Sequence, residues 1–290
     1  MIARPAQVAT SIHSVLVLVR PLNCLVASAS VAIGAFLASH SISARSGWAA
    51  VMTLLVSAGG YVLNDYFDIA ADRLTKPRRP LAAGLVKPAS AIWYAVGLWL
   101  AGAVAVWLAG VVASVFYGAW VVVLVLYSSR LKATGVWGHL AVSLVASSGF
   151  LLGAASQGRA AAGLVPAGIA VIFHLAREAA KSAADVAGDS AVGVRTLAVR
   201  MGTEVALKVT LWLIVASAIA SILPVLLTIY GLPYLAVVAV AVLPLLAVSV
   251  RRITAARTAG ADLADAASSV AGTLKLAMLA GLVALILAGF

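Results

Sequence analysis

Of the 290 residues in this chain only nine are acidic, and five of those are aspartates gathered in two short clusters. The first reads Asn64-Asp65-Tyr66-Phe67-Asp68-Ile69-Ala70-Ala71-Asp72; the second runs from Arg177-Glu178 through Lys181-Ser182 to Asp185 and Asp189. Asn64, Asp68 and Asp72 are spaced i, i+4, i+8, which puts all three on one face of a helix. Arg177, Lys181, Asp185 and Asp189 repeat that spacing, with two cations followed by two anions. Like charges four residues apart repel, so each carboxylate pair calls for something cationic. Mg2+ meets that need, since it is held by one or two carboxylates plus phosphate oxygens. Two such ions with Arg and Lys beside them clamp a diphosphate and stabilise it as it leaves. One cluster alone could be a solvated loop whose acids neutralise nearby bases. Two clusters holding more than half of the acids point instead to a built site.

The elements that must position these residues follow from composition. The chain is 64% hydrophobic and 10% charged, against about 45–50% and about 25% in a soluble domain. Apolar runs fall at roughly 14–40, 46–63, 90–109, 112–129, 136–156, 162–183, 204–229, 234–250 and 267–290. Each suits a crossing helix of about 20 residues. The runs are too long and continuous for β-barrel alternation, and the first is too long for a cleavable signal. Arg20 and Pro21 interrupt that first run, so part of it is expected to tilt or lie at the interface. The expectation is an all-α polytopic membrane protein, one domain over 1–290, with nine helices. The single cysteine, Cys24, excludes an internal disulfide framework and any Cys-based zinc or iron–sulfur site.

A net charge of +11 would suggest nucleic acid in a soluble chain; here topology explains it and no nucleic-acid partner is expected. Arg73, Lys76, Arg78, Arg79 and Lys87 lie between runs 2 and 3, and Arg130 and Lys132 between 4 and 5. Arg177, Lys181, Arg195, Arg200 and Lys208 flank the 6–7 connection, and Arg251, Arg252 and Arg257 follow run 8. The opposite connections hold only Arg45 and Arg159. Positive-inside reasoning puts the even-to-odd connections and the N-terminus in the cytoplasm and the C-terminus outside. Both aspartate clusters then sit on the cytoplasmic side of a cell membrane. Asp68 and Asp72 match Asp185 and Asp189 about 117 residues on, which hints at two pseudo-repeated halves. In a membrane the natural diphosphate is an isoprenoid one, its tail lying in the bundle.

Asn64-Asp65-x-x-Asp68-x-x-x-Asp72, followed by Lys76-Pro77-x-Arg79-Pro80, resembles the first signature of the UbiA superfamily of intramembrane prenyltransferases. Asp185-x-x-x-Asp189, with Gly193-x-Arg195-Thr196-Leu197-Ala198 after it, is similar to the second. The resemblance implies nine helices in a ring-like bundle around a central cavity. It implies that the two motifs, Asp65 included, bind Mg2+ and a prenyl diphosphate, whose diphosphate departs as an acceptor captures the allylic carbocation. Candidate diphosphate-binding cations are Arg73, Lys76, Arg79, Lys132, Lys181 and Arg195.

Within the superfamily, Arg20-Pro21-Leu22-Asn23-Cys24-Leu25, with Gly34 further on, resembles the first helix of the digeranylgeranylglyceryl phosphate synthases. Tyr127-Ser128-x-x-Leu131-Lys132 and Gly149-Phe150-Leu151-Leu152-Gly153-Ala154 fit the same group. That resemblance implies transfer of a geranylgeranyl group to the hydroxyl of geranylgeranylglyceryl phosphate, a lipid-like phosphate acceptor, with Arg20, Asn23 and Tyr127 as candidate acceptor contacts. Two residues depart from the group. Ser182 stands where many members have an aspartate, and is expected to alter only contacts around the metal site. His139 follows Gly138 where an asparagine is usual, and is expected to satisfy a buried carbonyl. An aromatic acceptor, of quinone or chlorophyll type, is the alternative within the transferases. A transporter is the alternative outside them; its charges would tend toward the bilayer midplane, with broken helices there.

Overall fold

The computed structural model describes residues 12–289, all helical apart from connections. Phe290, at the end of the ninth predicted run, and residues 1–11 lie outside the described residues. Among the described residues, nine helical spans are long and apolar enough to cross a membrane. Three of them are divided, and the divisions matter for the site.

The first predicted run is two helices, α1 (Ile12–Val19) and α2 (Pro21–Ser39). Pro21 opens α2 where a missing N–H is harmless, and Arg20 before it takes a left-handed conformation, φ 50° and ψ 64°. The second span, α3 (Ala44–Phe67), runs four residues beyond its predicted end and turns at Asp68 into the short α4 (Ile69–Thr75). The fold continues through α5 (Pro88–Ala109) and α6 (Val111–Ser129). Next come α7 (Val136–Ser147) and α8 (Gly149–Ser156), which together make one span. The sixth span contains α9 (Leu164–Ala184), which turns at Asp185 into α10 (Val186–Ala191). Then come α11 (Leu197–Met201), α12 (Thr203–Leu226), α13 (Leu232–Val237), α14 (Leu243–Ala259) and α15 (Leu263–Ala288). A π-helical turn at Val238–Val242 joins α13 to α14, so the eighth span covers Leu232–Ala259, longer than its predicted run.

Neighbours in this series pack side by side, and α15 touches both α9 and α2, so the last span closes a ring on the first. Small residues make the close contacts, as expected where apolar burial gains little over lipid. Helix α9 turns Ala176, Ala179, Ala180 and Ala183 into its neighbours, leaving the Arg177–Lys181 face for the centre. Gly34 on α2 and Gly153 on α8 let these two helices approach closely; a Cβ on Gly34 would overlap the Phe150 backbone and one on Gly153 the Val31 backbone. The outward surface is apolar, with Trp107, Val111 and Trp212 more than three-quarters exposed, as suits side chains facing lipid.

Candidate active site

The two aspartate motifs occupy equivalent bends. Asp68 ends α3 and begins α4 with φ −87° and ψ 1°; Asp185 ends α9 and begins α10 with φ −95° and ψ 9°. Aspartate favours such helix ends because its short side chain competes for local backbone groups. The backbone bonds continue through both bends, Asp72 N–H to the Asp68 carbonyl at 2.8 Å and Asp189 N–H to the Asp185 carbonyl at 3.0 Å. Each motif therefore keeps its carboxylates on one side. Helices α4 and α10 pack against each other, so the two pairs face a common polar chamber of about 720 Å³.

Asn64, Asp68, Asp72, Asp185 and Asp189 all line that chamber, with Lys76, Arg79, Lys132 and Lys181 among them. Lys132, set by a 3-10 turn at Leu131–Thr134, donates from Nζ to Asp68 Oδ1 at 2.6 Å, and the Asn64 amide donates to Asp68 Oδ2 at 2.8 Å. Arg79 donates to Asp72 Oδ2 at 2.7 Å and to Asp65 Oδ1 at 3.3 Å. Its loop is fixed because Leu81 and Val86 are buried against Leu18, Val62, Ala91 and Ala95. Lys76 donates to Asp185 Oδ1 at 2.9 Å, joining the two motifs across 109 residues of sequence. Burial works against the Arg79 charge, but the Asp65 and Asp72 carboxylates outweigh it and hold the guanidinium above its ordinary pKa. Burial, with Asp185 and Asp68 nearby, pushes the Asp189 carboxyl above the ordinary carboxylate range despite Lys132.

The motifs present oxygen donors only, the preference of a hard divalent cation. Among the described residues no three acidic, histidine or cysteine side chains are grouped to hold a metal by themselves. An ion bound here would complete its shell with ligand oxygens, which is how Mg2+ takes phosphates. Below the polar chamber lie two further ones. The first, about 1060 Å³, shares Arg20, Asn64, Tyr127, Glu178 and Lys181 with it and extends between Thr53, Val56, Ser57, Trp120 and Leu124. The second, about 1030 Å³ and mostly apolar, lies against α9, α13 and α15; it meets the first at Asn23, Tyr61, His174 and Arg177.

A polar chamber with paired aspartates lies above two deeper ones, inside a ring of nine spans among the described residues. The family model of the UbiA prenyltransferase family covers residues 27–279. The chain belongs to this family. This UbiA-family prenyltransferase is 34% identical over 267 residues to the digeranylgeranylglyceryl phosphate synthase of Methanopyrus kandleri, across 92% of this chain and 96% of that one. It is 36% identical over 239 residues to that of Halobacterium salinarum, across 82% and 87%. A solved structure from work on digeranylgeranylglyceryl phosphate synthase in membranes superposes with TM-score 0.72 at 27% identity, over 96% and 98% of the two chains. A UbiA homologue of Archaeoglobus fulgidus, solved with GPP and Mg2+, shares the fold at TM-score 0.67 and 18% identity, over 94% and 99%.

Three residues expected at the site of this prenyltransferase do not line its chamber. Asp65 stands one position off the Asn64–Asp68 face, and a helix turns about 100° per residue. Its carboxylate is 3% exposed and pairs with Arg20 and Arg79 behind the chamber wall. Arg73 is turned outward for the same reason, one position beyond Asp72. Arg195 is exposed on the loop after α10, which presents the buried Thr196 to the chamber instead. Of the candidate acceptor contacts, Arg20 and Tyr127 line the polar and first deep chambers, whereas Asn23 lines only the deep ones. The Arg20 guanidinium also lies 5.0 Å from the Tyr61 ring centroid.

Ser182 Oγ accepts from the Ala198 N–H at 3.0 Å, tying α9 to α11 beside the chamber. His139 makes no side-chain hydrogen bond among the described residues and lines the polar chamber, so the expected carbonyl contact is not formed. Sequence reading passed over Glu178, which is buried and accepts from Lys181 Nζ at 2.8 and 3.0 Å and from Arg177 at 3.5 Å. Its signal was a carboxylate inside an apolar run, three residues from a lysine.

Proposed function

We propose that this prenyltransferase moves a geranylgeranyl group from its diphosphate to the free hydroxyl of geranylgeranylglyceryl phosphate, forming the second ether bond of a lipid precursor. The observation that carries this reading is the facing of the two aspartate bends across one polar chamber, with two adjoining deeper chambers beneath it, the second of them mostly apolar. A reaction joining two prenylated molecules needs one diphosphate head site and room for two tails. The named relatives, alike over nearly the whole chain, support the same acceptor. The Asp68–Asp72 and Asp185–Asp189 pairs would hold Mg2+, which when bound neutralises the diphosphate as it leaves. Asn64 orients Asp68 by hydrogen bond. Lys76, Arg79, Lys132 and Lys181 supply donors to the phosphate oxygens, Arg79 by a planar fork that lysine lacks.

The donor's tail enters the first deep chamber, which continues directly from the polar one. The acceptor's tail occupies the second, which borders the first at Asn23, Tyr61, His174 and Arg177. The reacting carbon and hydroxyl then meet at that wall. By the positive-inside rule the polar chamber opens to the cytoplasm of a cell membrane and the C-terminus lies outside. The matching bends at Asp68 and Asp185 also favour two pseudo-repeated halves within one domain.

The test is turnover of labelled geranylgeranyl diphosphate by purified protein with Mg2+ and a panel of acceptors. Geranylgeranylglyceryl phosphate is expected to be prenylated and aromatic acids or phenols are not. Chelation of the metal should stop the reaction. The opposite acceptor preference would overturn the ether-lipid reading and leave the prenyltransferase chemistry standing.

A further inference from the structure

Lys275 has no counterpart in either aspartate motif. It stands midway along the 26-residue α15, and a helix rises 1.5 Å per residue, so it lies about 18 Å from either end. An ammonium at that depth is costly and marks a functional position by default. Its side chain lines the second deep chamber and makes no hydrogen bond or ion pair among the described residues. It shares that chamber with a second positive charge, that of Arg177.

Arg177 is under-served as well. Its only acid is Glu178, at 3.5 Å, and that carboxylate is held more closely by Lys181. The Arg177 Nε is buried with no hydrogen-bond partner among the described residues. Arg20 is committed to Asp65, which it shares with Arg79. Around the junction of the two deep chambers, the ion pairs of Arg20, Arg177 and Lys275 among the described residues therefore come down to Asp65 and Glu178, and each of these carboxylates is shared with a further cation, Arg79 or Lys181. Unmet donors and surplus positive charge inside an apolar ring define a place for an anion.

We propose that Arg177 and Lys275, with His174 beside them, form a second anion site that holds the phosphate of a lipid monophosphate acceptor. This rests on the acceptor reading above and names the residues that enforce it. A phosphate monoester carries about −1.5 to −2 charges at neutral pH, matching the surplus. None of Arg177, Lys275 and His174 lines the polar chamber, so the site does not compete for the diphosphate. The glyceryl backbone between phosphate and hydroxyl spans from this site toward the departing carbon, and the apolar remainder of the chamber receives the tail.

The experiment uses full-length protein in nanodiscs. Equilibrium binding of geranylgeranylglyceryl phosphate, without prenyl diphosphate or divalent metal, is compared with binding of uncharged geranylgeranylglycerol. Lys275→Met is expected to weaken the phosphate ligand at least tenfold and leave the uncharged one unchanged. In turnover it should raise the acceptor KM at least tenfold with the donor KM unaltered, and Lys275→Arg should restore both. Thermal stability of Lys275→Met should hold or rise, because an unpaired intramembrane charge is removed; this keeps the binding result interpretable. Equal loss of both ligands, or no loss of the phosphate one, overturns the site. Failure of wild type to prenylate the glyceryl phosphate overturns the acceptor reading and this ligand together, whereas normal wild-type turnover with an indifferent Lys275→Met overturns the site alone.

Discussion

Asp65 and Asp185 carry the same side chain in opposite surroundings, and those surroundings set the role proposed for each. Asp185 is about one-third exposed to the polar chamber and held by one mobile ammonium, Lys76 at 2.9 Å. It can exchange that partner for a metal without leaving a buried charge unpaired. Asp65 is sealed at 3% exposure between two guanidiniums, one of them on Arg20, whose left-handed backbone needs holding. Non-glycine residues in that region store about 1–3 kcal/mol. Asp185→Asn should therefore lower prenyl transfer at least about a hundredfold, on the scale seen when metal-site groups are lost, with an unchanged melting temperature. Asp68→Asn and Asp189→Asn should behave alike. Asp65→Asn should instead destabilise the protein by about 3–5 kcal/mol, the usual consequence of stripping one partner from a buried ion pair. Labelled-product assays and thermal unfolding in detergent separate the two; equal activity loss without destabilisation in Asp65→Asn would return it to the metal site.

At the scale of elements the ring depends on two helices that touch backbone to backbone. Gly153 on α8 faces the Val31 carbonyl on α2 so closely that a Cβ has no space. Gly281 on α15 faces open chamber, with nothing within 4 Å of an added Cβ. Gly153→Ala should lose about 1–3 kcal/mol of stability, the range for overpacking, while Gly281→Ala should unfold as wild type does in the same thermal scan. These elements were largely legible in the sequence: nine apolar runs gave nine spans, and Pro21 marked the break after Arg20. The aspartate faces were legible because i, i+4 spacing survives a bend that keeps its backbone bonds. Arg195 was not legible, since a loop has no period to say which way a side chain points. Asp65 was misplaced because a motif records adjacency in sequence, while a helix turns adjacent residues apart. Lys275 carried the clearest overlooked signal, a lone cation in the middle of the last apolar run.

Across the whole molecule, the ring carries a polar chamber and, beneath it, two deeper ones that adjoin each other. They share lining from α2, α3, α7 and α9 where they meet, and beyond that junction the first extends along α3, α6 and α7 and the second along α9, α13 and α15 with the π-helical turn. A reaction that joins two long tails has a reason for that division: each tail displaces its own volume, and the heads meet where the walls are shared. Filling one chamber should then penalise one substrate. Gly281→Leu adds bulk to the second chamber six residues beyond Lys275 on α15, where the backbone leaves room. It should raise the KM for geranylgeranylglyceryl phosphate severalfold, leave the donor KM unchanged, and spare an acceptor with a shortened tail. Ser57→Leu adds bulk to the first chamber and should do the reverse, shifting donor preference from geranylgeranyl toward shorter prenyl diphosphates at constant acceptor KM. Steady-state kinetics with donors and acceptors of graded length read both effects. If each substitution impaired donor and acceptor alike, the tails would share a single space, and the division of the ring would belong to its packing alone.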